Sequence, residues 1–225
     1  MIGRLARRIA RLRKYGSQSR PRIIRGIEIG VPVPIPHLVY PWRYDIVVRI
    51  EFFRYLKRNR GVLEDVSGEA HSAQPVLNYR TWFKEVAVAR FRPGLYGEED
   101  RFDQAFRKRI FDSVGIWDSI ASRGFDSSRP IRLHSGIHVR MPDGTVPRWR
   151  YFAGDGCHRL ACLYLQGARV IQPSHYELAL FDDLQPLDNT TILKNCLPLS
   201  SEDLEAFDNV FGLGLRDLRR LDNER

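Results

Sequence analysis

Six consecutive residues, Gly154-Asp155-Gly156-Cys157-His158-Arg159, bring together two glycines, an acid, a thiol, an imidazole and a guanidinium. Glycines at a strand-to-helix turn let backbone come close to a ligand. The first N–H groups of a new helix have no partner inside it, and with the helix dipole they favour an anion such as phosphate. Arg159 adds a fork of donors to such a site. His158 can donate hydrogen bonds or carry charge beside it, and Cys157 lies at the helix start, where a thiol pKa tends to fall. The residues Gly154 to Arg159 therefore point to a phosphate or nucleotide pocket. The same pattern also serves a chain that merely turns sharply, with Cys157 and Cys162 as small core residues and His158 a satisfied side chain.

Such a turn needs a strand before it and a helix after it. The stretch 146–154, VPRWRYFAG, reads as a strand, and residues 158–166 as the helix, with Gly167 at its C-cap. Residues 129–141 read as the antiparallel partner strand, joined to 146–154 through a Pro142-Asp143-Gly144 turn. His134 and His138, four apart on that strand, point the same way; no third ligand stands near, so they read as polar residues of a sheet face. Residues 169–180 supply one more strand. Upstream, 106–123 is a helix with Ile110, Val114, Trp117 and Ile120 inward, stopped by Gly124. Residues 81–93 read as a strand, followed by an acidic loop that holds Glu98, Glu99 and Asp100, and 62–78 reads as loop. Residues 44–61 make a helix burying Val47, Ile50, Phe53, Tyr55 and Leu56. The Pro-rich stretch 27–37 reads as extended.

The fold class expected is α+β, a small mixed sheet with packed helices and helical extensions at both ends. The expected organisation is a basic amphipathic helix and linker over 1–20, an extension over 21–80, the central domain over 81–185 and a helical tail over 186–225.

The net charge of +9 on 225 residues is unevenly placed. The first 60 residues hold 15 Lys and Arg against 3 Asp and Glu, and the remainder is slightly acidic. Residues 1–15 set Ile2, Leu5, Ile9 and Leu12 on one helical stripe between arginines. This suits an anionic membrane surface or DNA. No apolar run is long enough to span a bilayer, and the three cysteines, Cys157, Cys162 and Cys196, lack metal-site spacing. The reading is a cytoplasmic protein, peripheral at the membrane if the basic helix lies on lipid.

The residues from Ser119-Ile120 and Gly124, through Pro130-Ile131, to the 155–159 turn, Ala161, Gly167 and Val170-Ile171 resemble the ParB/sulfiredoxin superfamily. Its members carry a DGHHR, GERR or GGCHR turn at this place. The likeness spans roughly residues 84–180, with no counterpart for about the first 80 or last 40. The turn lacks the Glu-Arg-Arg of chromosome-partitioning members, and no helix-turn-helix domain fits the tail. Gly156-Cys157-His158-Arg159 matches sulfiredoxins, whose cysteine is the nucleophile, while Asp155 replaces their first glycine. Asp155-Gly156, His158 and Arg159 match free serine kinases, with Cys157 in place of a histidine. The resemblance implies that Gly154, Asp155, Gly156, Cys157, His158 and Arg159 bind ATP or another nucleoside triphosphate, and that Asp155 helps hold Mg²⁺. It further implies an ATP-dependent kinase or NTPase acting on a hydroxyl-bearing small molecule. Glu98, Glu99 or Asp100 would be the base, Glu98 and Glu99 foremost, with Asp155 and His158 in the catalytic set. The alternatives are a ParB-like DNA-binding protein or nuclease, a sulfiredoxin-like reductase, and a non-catalytic binding protein.

Overall fold

The computed structural model describes residues 20–39, 42–60, 72–141, 144 and 150–198. The basic helix expected over 1–15 and the helix start expected at Ser200 lie outside the described residues.

The chain is mixed α and β. Its main sheet has four strands in the order β1 (Arg22–Arg25), β6 (Tyr176–Leu184), β3 (Ile131–Val139) and β4 (Phe152–Asp155). β6 runs parallel to β3, and the outer strands are antiparallel to their neighbours. A separate ribbon pairs β2 (Val33–Pro34) with β5 (Val170–Ile171). The helices are α1 (Gly26–Ile29), α2 (Ile35–Val39), α3 (Tyr44–Arg58), α4 (Gln74–Trp82), α5 (Glu99–Arg123), α6 (Cys157–Leu165) and α7 (Thr190–Cys196).

Strand alternation divides the core. Ile131, Leu133 and Leu178 face α3, α4, α5 and α6 in one large cluster, whereas Ala179 and Phe181 join Phe152 and Leu184 in a smaller one. β1 comes from the residues expected to form a separate extension, yet it is hydrogen-bonded into the main sheet. The boundary expected at residue 80 falls inside α4.

Five local expectations are corrected. Residues 81–91 are helical, not a strand: α4 continues through a π-helical segment, Phe83–Val88, into Ala89–Phe91. Val76, Tyr79, Trp82, Phe83 and Val86 are all buried, at helical steps of three and four. A window opened at Thr81 cuts off the first two of these and leaves what looks like alternation. The π turn spaces its bonds five residues apart, which brings Phe83 and Val88 onto one inward face. It follows that residues 74–78 are helix rather than loop, and that Glu99 and Asp100 sit in the first turn of α5 rather than in a loop. The Pro-rich stretch is not uniformly extended, because Pro36 stands in the first turn of α2, where a missing N–H costs nothing. Finally, the single strand expected over 169–180 breaks at Pro173 into β5, a short turn and β6.

Gly154 has a packing role. A Cβ there would stand 2.2 Å from His134 Nε2. The His134 ring is itself buried and edge-on to Phe181 at 5.1 Å, so it has little room to yield. Gly154→Ala is expected to lower stability by about 1–3 kcal/mol, the usual cost of overpacking. The urea midpoint should fall with the slope unchanged; an unchanged midpoint would show that the ring moves freely.

Candidate functional site

The turn from β4 into α6 is built on Gly156, whose φ of 82° is left-handed. A side chain there would be strained and would also meet Arg159 Nη2 at 2.9 Å and the Cα of Ile131 at 3.1 Å. Asp155, exposed, accepts the Gly156 N–H through Oδ1 at 2.7 Å. The carbonyl of Gly156 takes the Leu160 N–H at 3.0 Å, the first bond of the helix. No side chain caps the start of α6. Its leading N–H groups, at Cys157, His158 and Arg159, have no acceptor within the helix. The partly exposed Arg159 donates to the carbonyls of Arg129 and, at 3.2 Å, Pro130. Burial is the main influence lowering the pKa of its guanidinium; the charge of Asp155 opposes it.

The other two side chains of the turn face inward. Cys157 is buried with Sγ 3.0 Å from Arg43 Nη2. Arg43 also donates to the carbonyl of Ala153, so one guanidinium grips the chain on both sides of the turn. It is held in turn by Asp45, Nε to Oδ1 at 2.8 Å and Nη2 to Oδ2 at 3.1 Å, and Asp45 takes a further bond from Arg49 at 2.5 Å. Burial pushes the Asp45 carboxyl up, but the charges and hydrogen bonds of Arg43 and Arg49 outweigh it and hold the group well below the usual carboxylate range.

His158 lies among the rings of Phe53, Tyr79 and Trp82, edge-on to each at 6.0, 5.9 and 5.5 Å. Its Nε2 is 2.6 Å from the Tyr79 hydroxyl, which is 2.8 Å from Ser113 Oγ. Ser113 spends its proton on the carbonyl of Arg109 at 2.7 Å. Tyr79 must then donate to Ser113, and His158 Nε2–H to Tyr79. Burial, with the charges of Arg49 and Arg109, puts the His158 pKa well below its ordinary value, so the ring is neutral at pH 7. Burial also pushes the Tyr79 phenol up to about 12. His158 is therefore a neutral donor inside the helical layer, with its Nε2–H given to Tyr79.

The acidic residues expected as bases lie elsewhere. Glu98 pairs with Arg101 at 2.6 Å, and Glu99 with Arg80 at 2.6 Å and Lys84 at 3.4 Å, all near the surface. From Glu99 to Ser113, which reaches the His158 chain, α5 climbs fourteen residues, about 21 Å. Of the carboxylates named from the sequence, Asp155 is the one at the turn. Among the described residues no group of three or more His, Cys, Asp or Glu could hold a metal ion. Asp155 fits Mg²⁺ only as a single oxygen donor, with phosphates and water supplying the rest. No helix among the described residues is long and apolar enough to cross a membrane.

Sequence reasoning did not find Arg43, Asp45, Arg49, Tyr79 or Ser113. One signal was readable: Asp45 and Arg49, four apart, are charged positions in an otherwise apolar stretch of helix, the mark of a buried ion pair. Comparison with protein-family models, with curated proteins and with solved structures finds no match to this chain.

Proposed function

We propose that the protein binds a nucleotide of the ATP type, its phosphates gripped by the 155–159 turn, in the manner of the ParB/sulfiredoxin-like proteins that the turn resembles. The observation that carries this reading is the start of α6: a left-handed glycine leading straight from a strand into an uncapped helix. Arg159 stands beside it, partly exposed. The order of elements supports the same reading, with α5, β3, the β4 hairpin partner, α6 and then β5 and β6 following one another as the resemblance implies.

Phosphoryl transfer to a hydroxyl acceptor is the reaction class such a grip would serve, because that chemistry depends on positioning and charge more than on a covalent catalyst. Mg²⁺, when bound with the nucleotide, would neutralise phosphate charge, and Asp155 would be its protein ligand. The backbone N–H groups of Cys157, His158 and Arg159 orient the phosphates. Arg43, fixed by Asp45, holds the turn in shape from within.

Arg159→Ala is expected to weaken Mg²⁺–ATP binding by about 1.5–3 kcal/mol, the worth of a hydrogen bond to a charged group. Isothermal titration of wild type and variant, with circular dichroism to verify the fold, reads this directly. Equal affinities in the two proteins would overturn the assignment of the turn.

A further inference from the structure

We propose that a small oxyanion, of the phosphate or carboxylate kind, seats inside the helical layer among Arg49 of α3, Trp82 of α4 and Arg109 of α5, beside the ring of His158. This seat is separate from the nucleotide grip proposed at the turn, since its donors come from three other helices.

Arg49, Trp82 and His158 adjoin, and the charges of both Arg49 and Arg109 act on the His158 ring and the Tyr79 phenol. The Arg49 guanidinium lies 3.8 Å over the Trp82 ring, and Trp82 is edge-on to His158 at 5.5 Å. Arg109 stacks near Phe83 at 5.6 Å, and its own carbonyl ends the chain of hydrogen bonds that begins at His158.

Charge is out of balance there. Arg43 and Arg49 share one carboxylate, that of Asp45, and all three residues are buried. Arg109 meets no carboxylate among the described residues. Three guanidiniums thus stand against a single negative charge, while His158 and Tyr79 are neutral at pH 7. Buried charge without a counterion is costly, and a bound anion removes that cost.

Hydrogen bonding is incomplete at the same place. Arg49 Nε, Trp82 Nε1 and Arg109 Nε are buried N–H donors with no acceptor. Two of these belong to residues only 5% and 4% exposed, Arg49 and Trp82. Native structures rarely leave such donors empty. Three donors outnumber the one spare acceptor, the Nδ1 left by the neutral His158 ring, which favours an anion, and guanidinium forks match the geometry of an oxyanion. Arg109 and His158 are partly exposed, which gives the ligand a way in.

The test uses the full chain and inorganic phosphate alone. His158 faces Arg49, Arg109 and Arg159 as cations, Asp45 as an anion and the Tyr79 phenol, so its ring reports any charge added nearby. NMR of the His158 imidazole is recorded against pH with and without phosphate, together with the melting temperature. Phosphate should saturate, raise the midpoint of His158 and raise the melting temperature. Arg109→Met should weaken this response about tenfold or more, and Trp82→Phe by less, while Arg159→Ala removes at most the part contributed by phosphate held at the turn. Should Arg109→Met not fold, Arg109→Lys and Trp82→Phe carry the comparison. A protein with no saturable response, a response untouched by the Arg109 and Trp82 variants, or one abolished by Arg159→Ala overturns the proposal.

Discussion

Replacing Asp45 with alanine is expected to destabilise the protein by about 3–5 kcal/mol, because it strands two guanidiniums in the interior with no counter-charge. Asp45 is fully buried and bonds both Arg43 and Arg49. At roughly 2–4 °C per kcal/mol for a chain of this size, the melting temperature should fall by about 6–20 °C. Combining the change with Arg43→Met and Arg49→Met should recover much of the loss, since the penalty comes from the unpaired charges. A melting temperature unchanged in the single variant would show that water already reaches the cluster. The same groups set the acid limit. The folded pKa of Asp45 lies below its unfolded value, so its stabilisation is complete above the ordinary carboxylate range and is lost as pH falls through and below it. His158 is likewise depressed; the unfolded chain takes up its proton first, so stability starts to fall below about pH 6.5. Denaturant midpoints should decline from there downward, and the His158→Gln variant should lose the upper part of that decline.

Gly26→Ala is expected to be the other severe change. A Cβ at Gly26 would lie 2.3 Å from the carbonyl oxygen of Pro173 and 2.7 Å from that of Tyr176. Both are backbone atoms, and the Tyr176 ring, 2.9 Å away, is pinned by its hydroxyl donating to the carbonyl of Val31 at 2.7 Å. Nothing there can rotate aside, so either α1 or the turn before β6 must move. The cost should reach or exceed the usual 1–3 kcal/mol of overpacking. Because Arg25, next in the chain, pairs with Glu177, β1 should loosen from the sheet edge. Faster hydrogen exchange over residues 22–25 and 176–180 would report it; unaltered exchange and melting would contradict it.

The elements around the turn were legible because each carries its own period and its own stop. α3, β3, β4 and α6 fall close to where apolar spacing and Gly167 place them, and α5 stops at Gly124 as expected but starts at Glu99, seven residues before the expected 106. α4 was hidden because its inward residues span an α-to-π transition that no single period describes. β1 was hidden because Arg22, Ile23, Ile24 and Arg25 form an edge strand with little burial, placed by pairing to residues more than 150 positions away. At the site, Gly156 was legible as a turn residue. The reading of Gly154 differed, since its reason for being small is His134, twenty residues earlier. The inward turn of Cys157 and His158 could not be read locally: Cys157, Leu160, Ala161, Cys162 and Leu163 are all buried, so α6 shows no clear polar face. What draws the two side chains inward is Arg43 and Tyr79, supplied by distant segments.

The most direct test of the account is amide mapping of nucleotide binding on the ¹⁵N-labelled full chain. Titration with Mg²⁺–ATP should move the backbone amides of Cys157, His158 and Arg159 first and furthest, because those N–H groups are the ones proposed to hold phosphate. Adenosine, lacking phosphates, should leave them nearly still. Movement confined to other residues, or no saturable movement at the turn at all, would contradict the assignment of 155–159 as a nucleotide-phosphate site.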